Sequence, residues 1–296
     1  RYRPAMEHPM TNELDPWGGH ASTYDRVFAP LTGTVARSLF TLCEARLGPD
    51  AQILDVACGS GALLRPALSW AERQQAAGGA PFVVGADFSG GMVAVSQRNL
   101  GRLHPSTRFR CETQDGQALT YADASFDAVF SCFGIFLFAD RLAGWREAAR
   151  VLRPGGVFAT STWFPPDRNP MFQAQFGPVF EALPERVKAQ HQQKGPPGWL
   201  RVADAEPLRA EVTAAGFDEV CVHPFHTTLA LASVDDAWQA MRDNPGAGGM
   251  IQACDDQERK AVYAALRKGL APYATPSGAV LLEARCHLLT ARRAPA

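Results

Sequence analysis

Between Ala51 and Trp163, short apolar runs alternate with stretches whose apolar residues recur at helical spacing. The first run, Ile53-Leu54-Asp55-Val56-Ala57, passes at once into Cys58-Gly59-Ser60-Gly61 and a helical pattern through Ala71. Phe82 to Ala86 predicts a second strand ending on Asp87, with a helix over Gly91 to Leu100 behind it. A third strand, Thr107 to Glu112, stops ahead of Asp115-Gly116-Gln117, and a fourth, Phe126 to Phe130, leads into Ser131. A helix over Arg141 to Leu152 stops at Arg153-Pro154-Gly155-Gly156, and Val157 to Trp163 is the fifth strand. Strands alternating with helices through short loops predict βαβ units and a mostly parallel sheet in an α/β fold.

The flanks are less regular. A helical stretch covers Thr34 to Arg46. Beyond Trp163, Phe164-Pro165-Pro166-Asp167 reads as a turn, and Met171 to Gln193 as helix interrupted by Pro178 and Pro184. A helix over Asp204 to Ala215, an extended stretch over Glu219 to Thr228, helices over Val234 to Arg242 and Asp256 to Leu270, and a strand near Ala279 to Leu289 complete the pattern. The expected organisation is one domain: an N-terminal helical cover (1–50), a ligand-binding core (51–163), a lid (164–200) and a C-terminal part of the sheet carrying a helical insertion (201–296). The lid is punctuated by proline, which marks it as a segment of low local stability. His223 and His226, three apart on a strand, point to opposite faces and do not form a metal pair.

Composition narrows the function. With 46% hydrophobic and 20% charged residues, the 296-residue chain buries a core, which excludes a disordered or fibrous protein. Twenty-nine basic against 30 acidic side chains leave a net charge of -1, so no overall field favours nucleic acid or an anionic membrane. The apolar run Cys132 to Ala139 is too short to span a bilayer, and Arg1 to Met10 reads as neither a signal peptide nor an anchor. Seven scattered cysteines form no CxxC pair, which points away from a metal motif and toward a reduced, cytoplasmic setting.

The chemistry concentrates at Asp55 to Gly61, a strand turning sharply into a helix. Glycines there admit a ligand close to the backbone, at the positive end of the helix. A dinucleotide loop fits poorly. Leu64 stands where its third glycine belongs, and Asp87 falls well beyond the roughly 20 residues that separate loop and ribose carboxylate in that fingerprint. Asp55 within the turn would also repel a pyrophosphate; a ligand bearing a cationic amine and no phosphate suits it better.

These residues resemble the first motif of the class I S-adenosylmethionine-dependent methyltransferases, in particular the small-molecule branch. The motif Asp/Glu-x-Gly-x-Gly-x-Gly is similar to Asp55-Val56-Ala57-Cys58-Gly59-Ser60-Gly61, with Ala57 in place of the first glycine, a mild departure wherever φ is negative. Asp87, Asp115-Gly116, Ser131 and Leu152-Arg153-Pro154-Gly155-Gly156 follow in the family's order, so the resemblance covers Tyr24 to Trp163 and, more loosely, the chain on to Phe217.

The resemblance implies a doubly wound, seven-stranded, mostly parallel Rossmann-like sheet whose last strand is antiparallel, under a helical lid. It implies S-adenosylmethionine as cofactor, no metal, and a site made of Tyr24, Asp55, Ala57, Gly59, Gly61, Asp87, Phe88, Met92, Asp115, Gly116, Gln117 and Ser131. Within that set Asp87 accepts the ribose hydroxyls, Asp115 and Gly116 meet the adenine edge, and Phe88 and Met92 cover its faces. Asp55, Gly59 and Gly61 hold the methionine end, and Tyr24 closes over the cofactor. The implied reaction is methyl transfer to oxygen, nitrogen or carbon of a small, largely apolar metabolite, aromatic or polyketide-like, beneath a cover bearing Trp17, Phe28, Trp163, Phe172, Phe176 and Trp199. A quinone-type C-methyltransferase is the alternative; a nicotinamide-dependent oxidoreductase and a non-catalytic binding module represent other classes. His20, Tyr24 and His191 are the candidate bases.

Overall fold

In a computed structural model, which describes residues 15, 17, 25–192 and 197–295, the alternating block folds as its pattern predicts. Strands β1 (Gln52–Val56), β2 (Phe82–Asp87), β3 (Phe109–Thr113), β4 (Phe126–Cys132) and β5 (Leu152–Trp163) run parallel. Helix α1 (Ala29–Glu44) precedes them, and α2 (Leu64–Ala76), α3 (Gly90–Leu103) and α4 (Arg141–Val151) lie between them in the chain. Helices α5 (Pro170–Ala182), α6 (Glu185–Gln192) and α7 (Ala205–Ala214) come next. Strand β6 (Phe217–Leu231), helices α8 (Val234–Arg242), α9 (Pro245–Gln252) and α10 (Asp256–Leu270), and strand β7 (Val280–Arg293) follow.

The sheet order is β3-β2-β1-β4-β5-β7-β6, with β7 antiparallel to both neighbours. Because β1 separates β2 from β4, the winding reverses there and opens a crevice beyond the strands' carboxyl ends. Burial explains why β1, β2 and β4 are near-continuous apolar runs rather than alternating ones. Both faces of the sheet are covered, and Ile53, Leu54, Val83, Val129 and Phe130 lie in one core with Phe40 of α1 and Trp145 of α4.

A second core sits past that carboxyl edge. β5 pairs only with the Cys286–Arg292 part of β7, whereas β6 accompanies β7 as far as Val280. The free end of this two-stranded ribbon therefore projects beyond the sheet. Leu229, Leu231 and Leu282 on it pack with Met171 and Val179 of α5, Met241 of α8 and Val262 of α10. Trp163, the last residue of β5, touches both cores.

The proline-rich segment after Trp163 belongs to this second core. Pro170 opens α5 and Pro184 stands just before α6, where a missing N–H costs nothing. Pro178, inside α5, lies under Gly269 of α10, whose absent Cβ would stand 2.5 Å from it. Two elements differ from the pattern. α9 begins with a Pro-Gly-Ala-Gly-Gly run of poor helix propensity, which burial of Ala247 and Ile251 overrides. The Arg153–Gly156 stretch ends α4 as predicted, but the chain is already in β5. Leu152 pairs with Phe126 and Val157 with Ala128, so the residues between them bulge from the ladder.

All seven cysteines are free thiols. Among the described residues, no helix is long and apolar enough to cross a membrane, and no group of His, Cys, Asp and Glu is placed to hold a metal. His226 instead faces Glu283 at 3.3 Å on the exposed ribbon.

Candidate active site

The loop after β1 is held by its own backbone and by Asp87. Ala57, Gly59 and Gly61 have φ of 57°, 54° and 93°, so every second residue is left-handed and the chain coils tightly. Cys58 N–H donates to Ala86 O at 3.0 Å and Gly61 N–H to Cys58 O at 2.9 Å. Asp87 ends β2, where its two oxygens accept from Gly59 N–H at 2.8 Å and Ser89 N–H at 2.9 Å. Burial, and next the nearby Asp15 carboxylate, push the Asp87 carboxyl up to about 6, against the pull of those two amides. Ser89 caps α3 by accepting from Met92 N–H, and its hydroxyl donates to Asp15 Oδ2 at 2.9 Å.

Asp55 is the unusual group. Its side chain is 1% exposed, at the end of β1, and neither carboxylate oxygen has a hydrogen-bond partner. Burial first, and Asp87 second, hold its carboxyl well above the usual range. A carboxylate so isolated favours a cationic donor beside it. Around Gly59 the space is open: a Cβ there would meet nothing within 4 Å.

Along the same edge, Asp115 is exposed and accepts from the Gln117 amide and side chain at 2.9 and 3.0 Å, while Gly116 is buried against Phe138 and Val56. Phe88 is 42% exposed beside Asp87, and Met92 is 3% exposed beneath it on α3. Past β4 the chain turns at Phe133, whose φ of 58° is costly for a bulky residue and is tolerated only where the surroundings over-determine it. Here Phe133 N–H donates to Ser161 Oγ at 3.0 Å, and its ring stacks on Trp163 with centroids 3.9 Å apart. Phe172 meets Trp163 edge-on and lies 5.9 Å from Trp199, which in turn meets Phe136. Gly134, next to this aromatic wall, abuts the glycine loop, its absent Cβ lying 2.5 Å from Ala57 Cβ.

Comparison with known proteins was made against this geometry. A family model described as a methyltransferase domain matches residues 54–160. A demethylmenaquinone methyltransferase of Deinococcus radiodurans is 38% identical over 148 residues, 49% of this chain and 56% of the relative. The chain thus spans little more than half the length of that relative. One of the same name from a Mycobacterium species is 31% identical over 188 residues, 61% of this chain and 73% of the relative. The chain belongs to the class I S-adenosylmethionine-dependent methyltransferases. The crystal structure of the YcgJ protein of Bacillus subtilis covers 88% of this chain and 99% of its own at a TM-score of 0.55 and 15% identity, a likeness of fold.

The chain brings Asp55, Ala57, Gly59, Asp87, Phe88, Met92, Asp115 and Gly116 to one edge of the sheet. The residues fit the family's cofactor: an unpartnered buried carboxylate for an amine, an open glycine face, and acidic groups at the ends of β2 and β3. Four of the expected positions carry a local role that differs from the expectation. Ala57 is not at a negative φ; it occupies the left-handed conformation in which the family has glycine, so its methyl is strained. Gly61 serves packing, since a Cβ there would lie 2.8 Å from Leu100 and Ser96 of α3. Ser131 is fully buried with its hydroxyl accepting from Ile135 N–H at 3.1 Å, so it shapes the turn and offers a ligand no side chain. Gln117 likewise orients Asp115. His191 packs against Phe180 within the cover. Tyr24 and His20 lie outside the described residues.

Sequence reasoning missed Asp15, whose approach to Ser89 spans 74 residues with no local signal. It also missed the strain at Phe133, which periodicity does not report.

Proposed function

We propose that this chain transfers the methyl group of S-adenosylmethionine to a small, largely apolar acceptor, aromatic or polyketide-like, seated against the Phe133–Trp163 wall. The observation that carries the reading is Asp55: a buried carboxylate with no partner, at the mouth of an open glycine loop, awaits a cationic amine. Asp87 is the ribose acceptor, Asp115 and the Gly116 amide take the adenine edge, and Phe88 and Met92 cover its faces. Bound there, the cofactor supplies an electrophilic methyl on a sulfonium that is already a good leaving group. The protein's share is alignment and exclusion of water. Phe133, Trp163 and Phe172 offer flat apolar surface to hold a ring, Phe133 from the first core and Phe172 from the second, with Trp163 touching both. We place the described segment that follows Trp163, and the start of α1 with Leu31 and the preceding Val27, in the cover. We assign no general base. The free thiols accord with a cytoplasmic setting.

A quinol ring carbon is the acceptor atom we favour, because the relatives are named demethylmenaquinone methyltransferases. Titration calorimetry with S-adenosylmethionine and with NAD tests the first step, and only the former should bind. Transfer of radiolabelled methyl to 1,4-naphthohydroquinone or to 1-naphthol, with the product resolved as ring-methylated compound or methyl ether, then separates C- from O-methylation. Tight binding of NAD, or binding of S-adenosylmethionine with no transfer to any ring acceptor, would refute the reading.

A further inference from the structure

Arg141 is the first residue of α4, one step after its N-cap Asp140, and its side chain is only 10% exposed. Its guanidinium is bound on three sides. Nε and Nη2 donate to the two oxygens of Glu211 on α7 at 2.8 and 2.7 Å, and Nη1 donates to the carbonyl of Gly198 at 3.0 Å. Glu211 also accepts from Trp145 Nε1 at 3.4 Å, and its carboxyl is held below the usual range, chiefly by Arg141. A pair of this form between two helices is ordinary structural glue. The third bond is not part of that pair. It reaches the residue just before Trp199, whose ring lies 6.2 Å from Phe136 and 5.9 Å from Phe172 in the aromatic wall.

The other side of the same stretch of chain faces the cofactor edge. Asp140 N–H donates to Gln117 Oε1 at 2.7 Å, and Gln117 in turn donates through its backbone and side-chain nitrogens to Asp115 Oδ1. Two consecutive residues, Asp140 and Arg141, thus fasten the loop proposed to read adenine on one side and the backbone beside Trp199 on the other. The short 3₁₀ turn that carries Trp199 is closed by Leu200 N–H to Pro197 O and Ala203 N–H to Leu200 O, bonds internal to the turn that do not fix where it sits. Its far end is tied to the sheet by Thr162 Oγ1 donating to Val202 O at 3.3 Å and by His287 Nε2 at 3.0 Å from Ala203 O; Arg141 ties its near end, at the residue before Trp199. The planar fork holds both carboxylate oxygens and the carbonyl through three separate nitrogens; lysine, with a single nitrogen, cannot keep the bidentate pair and the carbonyl in place together.

We propose that Arg141 is a positioning residue for the acceptor: it sets Trp199, and with it the width of the aromatic slot, in register with the cofactor loop. The proposal rests on the reading of the Phe133–Trp163–Trp199 wall as the acceptor's seat. Loss of the fork should loosen the acceptor and leave the cofactor held, because none of the residues assigned to the cofactor bonds Arg141. Pure structural glue would behave differently, lowering the melting temperature and weakening both ligands together.

The test uses the full chain saturated with S-adenosylhomocysteine, 1-naphthol as acceptor probe, and titration calorimetry for each ligand. Arg141→Lys should bind 1-naphthol about tenfold more weakly, the scale of one lost charge-assisted bond, and S-adenosylhomocysteine unchanged. Arg141→Ala should recover naphthol affinity when methylguanidinium is added, which a variant damaged only in its fold would not do. Trp199→Leu separates the two readings. If it leaves naphthol affinity unchanged, the wall is not the acceptor's seat and the proposal falls with it. If Trp199→Leu weakens naphthol while Arg141→Lys does not, or if Arg141→Lys loses both ligands equally, the role assigned to Arg141 is overturned and the wall stands.

Discussion

The cofactor edge and the aromatic wall adjoin where Gly134 abuts Ala57, yet they are positioned by different means. At the edge, Asp55, Asp87 and Asp115 sit at or just past the ends of β1, β2 and β3, and the loop between them is fixed by backbone bonds from Cys58, Gly59 and Gly61. Few side-chain contacts are needed. In the wall, Phe133, Phe172 and Trp199 come from a post-strand turn, a cover helix and a 3₁₀ turn, and ring packing with single hydrogen bonds brings them together. A site of the first kind is specified by a handful of positions in strict order. A site of the second kind depends on size and shape spread across many, so its ligand preference can change without loss of fold.

Mutations should separate the two accordingly. The largest effect is expected from Gly59→Val, which should abolish cofactor binding in calorimetry. A side chain there enters the open face of the loop and adds a left-handed backbone cost of about 1–2 kcal/mol, while no protein atom obstructs it. Asp87→Ala should weaken S-adenosylmethionine by about 1.5–3 kcal/mol and also lower the melting temperature, since the Gly59 and Ser89 amides lose their acceptor. Both effects should leave 1-naphthol binding in place.

Acidification probes the same carboxylate. With Asp87 titrating near 6, cofactor affinity should fall by about tenfold per pH unit below that value. The stability of the free protein should move the opposite way. A carboxyl raised on folding binds its proton more tightly in the native state, so its contribution is full below about pH 4. It is lost as pH rises through 6. Chemical denaturation across this range checks the sign, and Asp87→Asn should flatten the slope. In the wall, Phe172→Leu should cost 1-naphthol about 1 kcal/mol of affinity and leave the cofactor untouched; a cofactor loss as large would erase the distinction. The smallest change is Ala57→Gly, expected to stabilise the free protein by about 1 kcal/mol by relieving the left-handed alanine, measured as a raised melting temperature.

The contrast also explains what could be read from residues alone. The order of β1 to β5, the ends of their strands, the glycine loop and the acidic residues that close β2 and follow β3 were legible, because each follows from local pattern. The helices Val234–Arg242 and Asp256–Leu270 matched to the residue, since Ser233 and Asp255 cap their first turns. The cover was legible only as composition. Its prolines read as signs of a loose lid, yet Pro170 and Pro184 mark helix starts, and Met171, Val179 and Leu183 bury themselves in the second core. Ala57 shows the converse limit: a family position can be recognised while its φ, and so the cost of the substitution, stays hidden. The local roles of Gly61 and Ser131 stayed hidden for the same reason, because Leu100, distant in sequence, and the turn at Ile135 decide them.

Strand β7 carries a consequence for how this chain reaches its fold. Val280, Leu282 and Ala284 belong to the second core and Cys286, Leu288 and Leu289 to the first, so one strand completes both. It follows every other strand of the sheet in chain order, and its partners on β5 come far ahead of it, Val157 pairing with Arg292. Until β7 is inserted, β5 and β6 each present an unpaired edge, and neither core is closed. Such late, distant pairing slows folding and lengthens exposure of sticky intermediates. The cofactor crevice and its cover therefore mature together, once β7 is inserted, rather than one after the other.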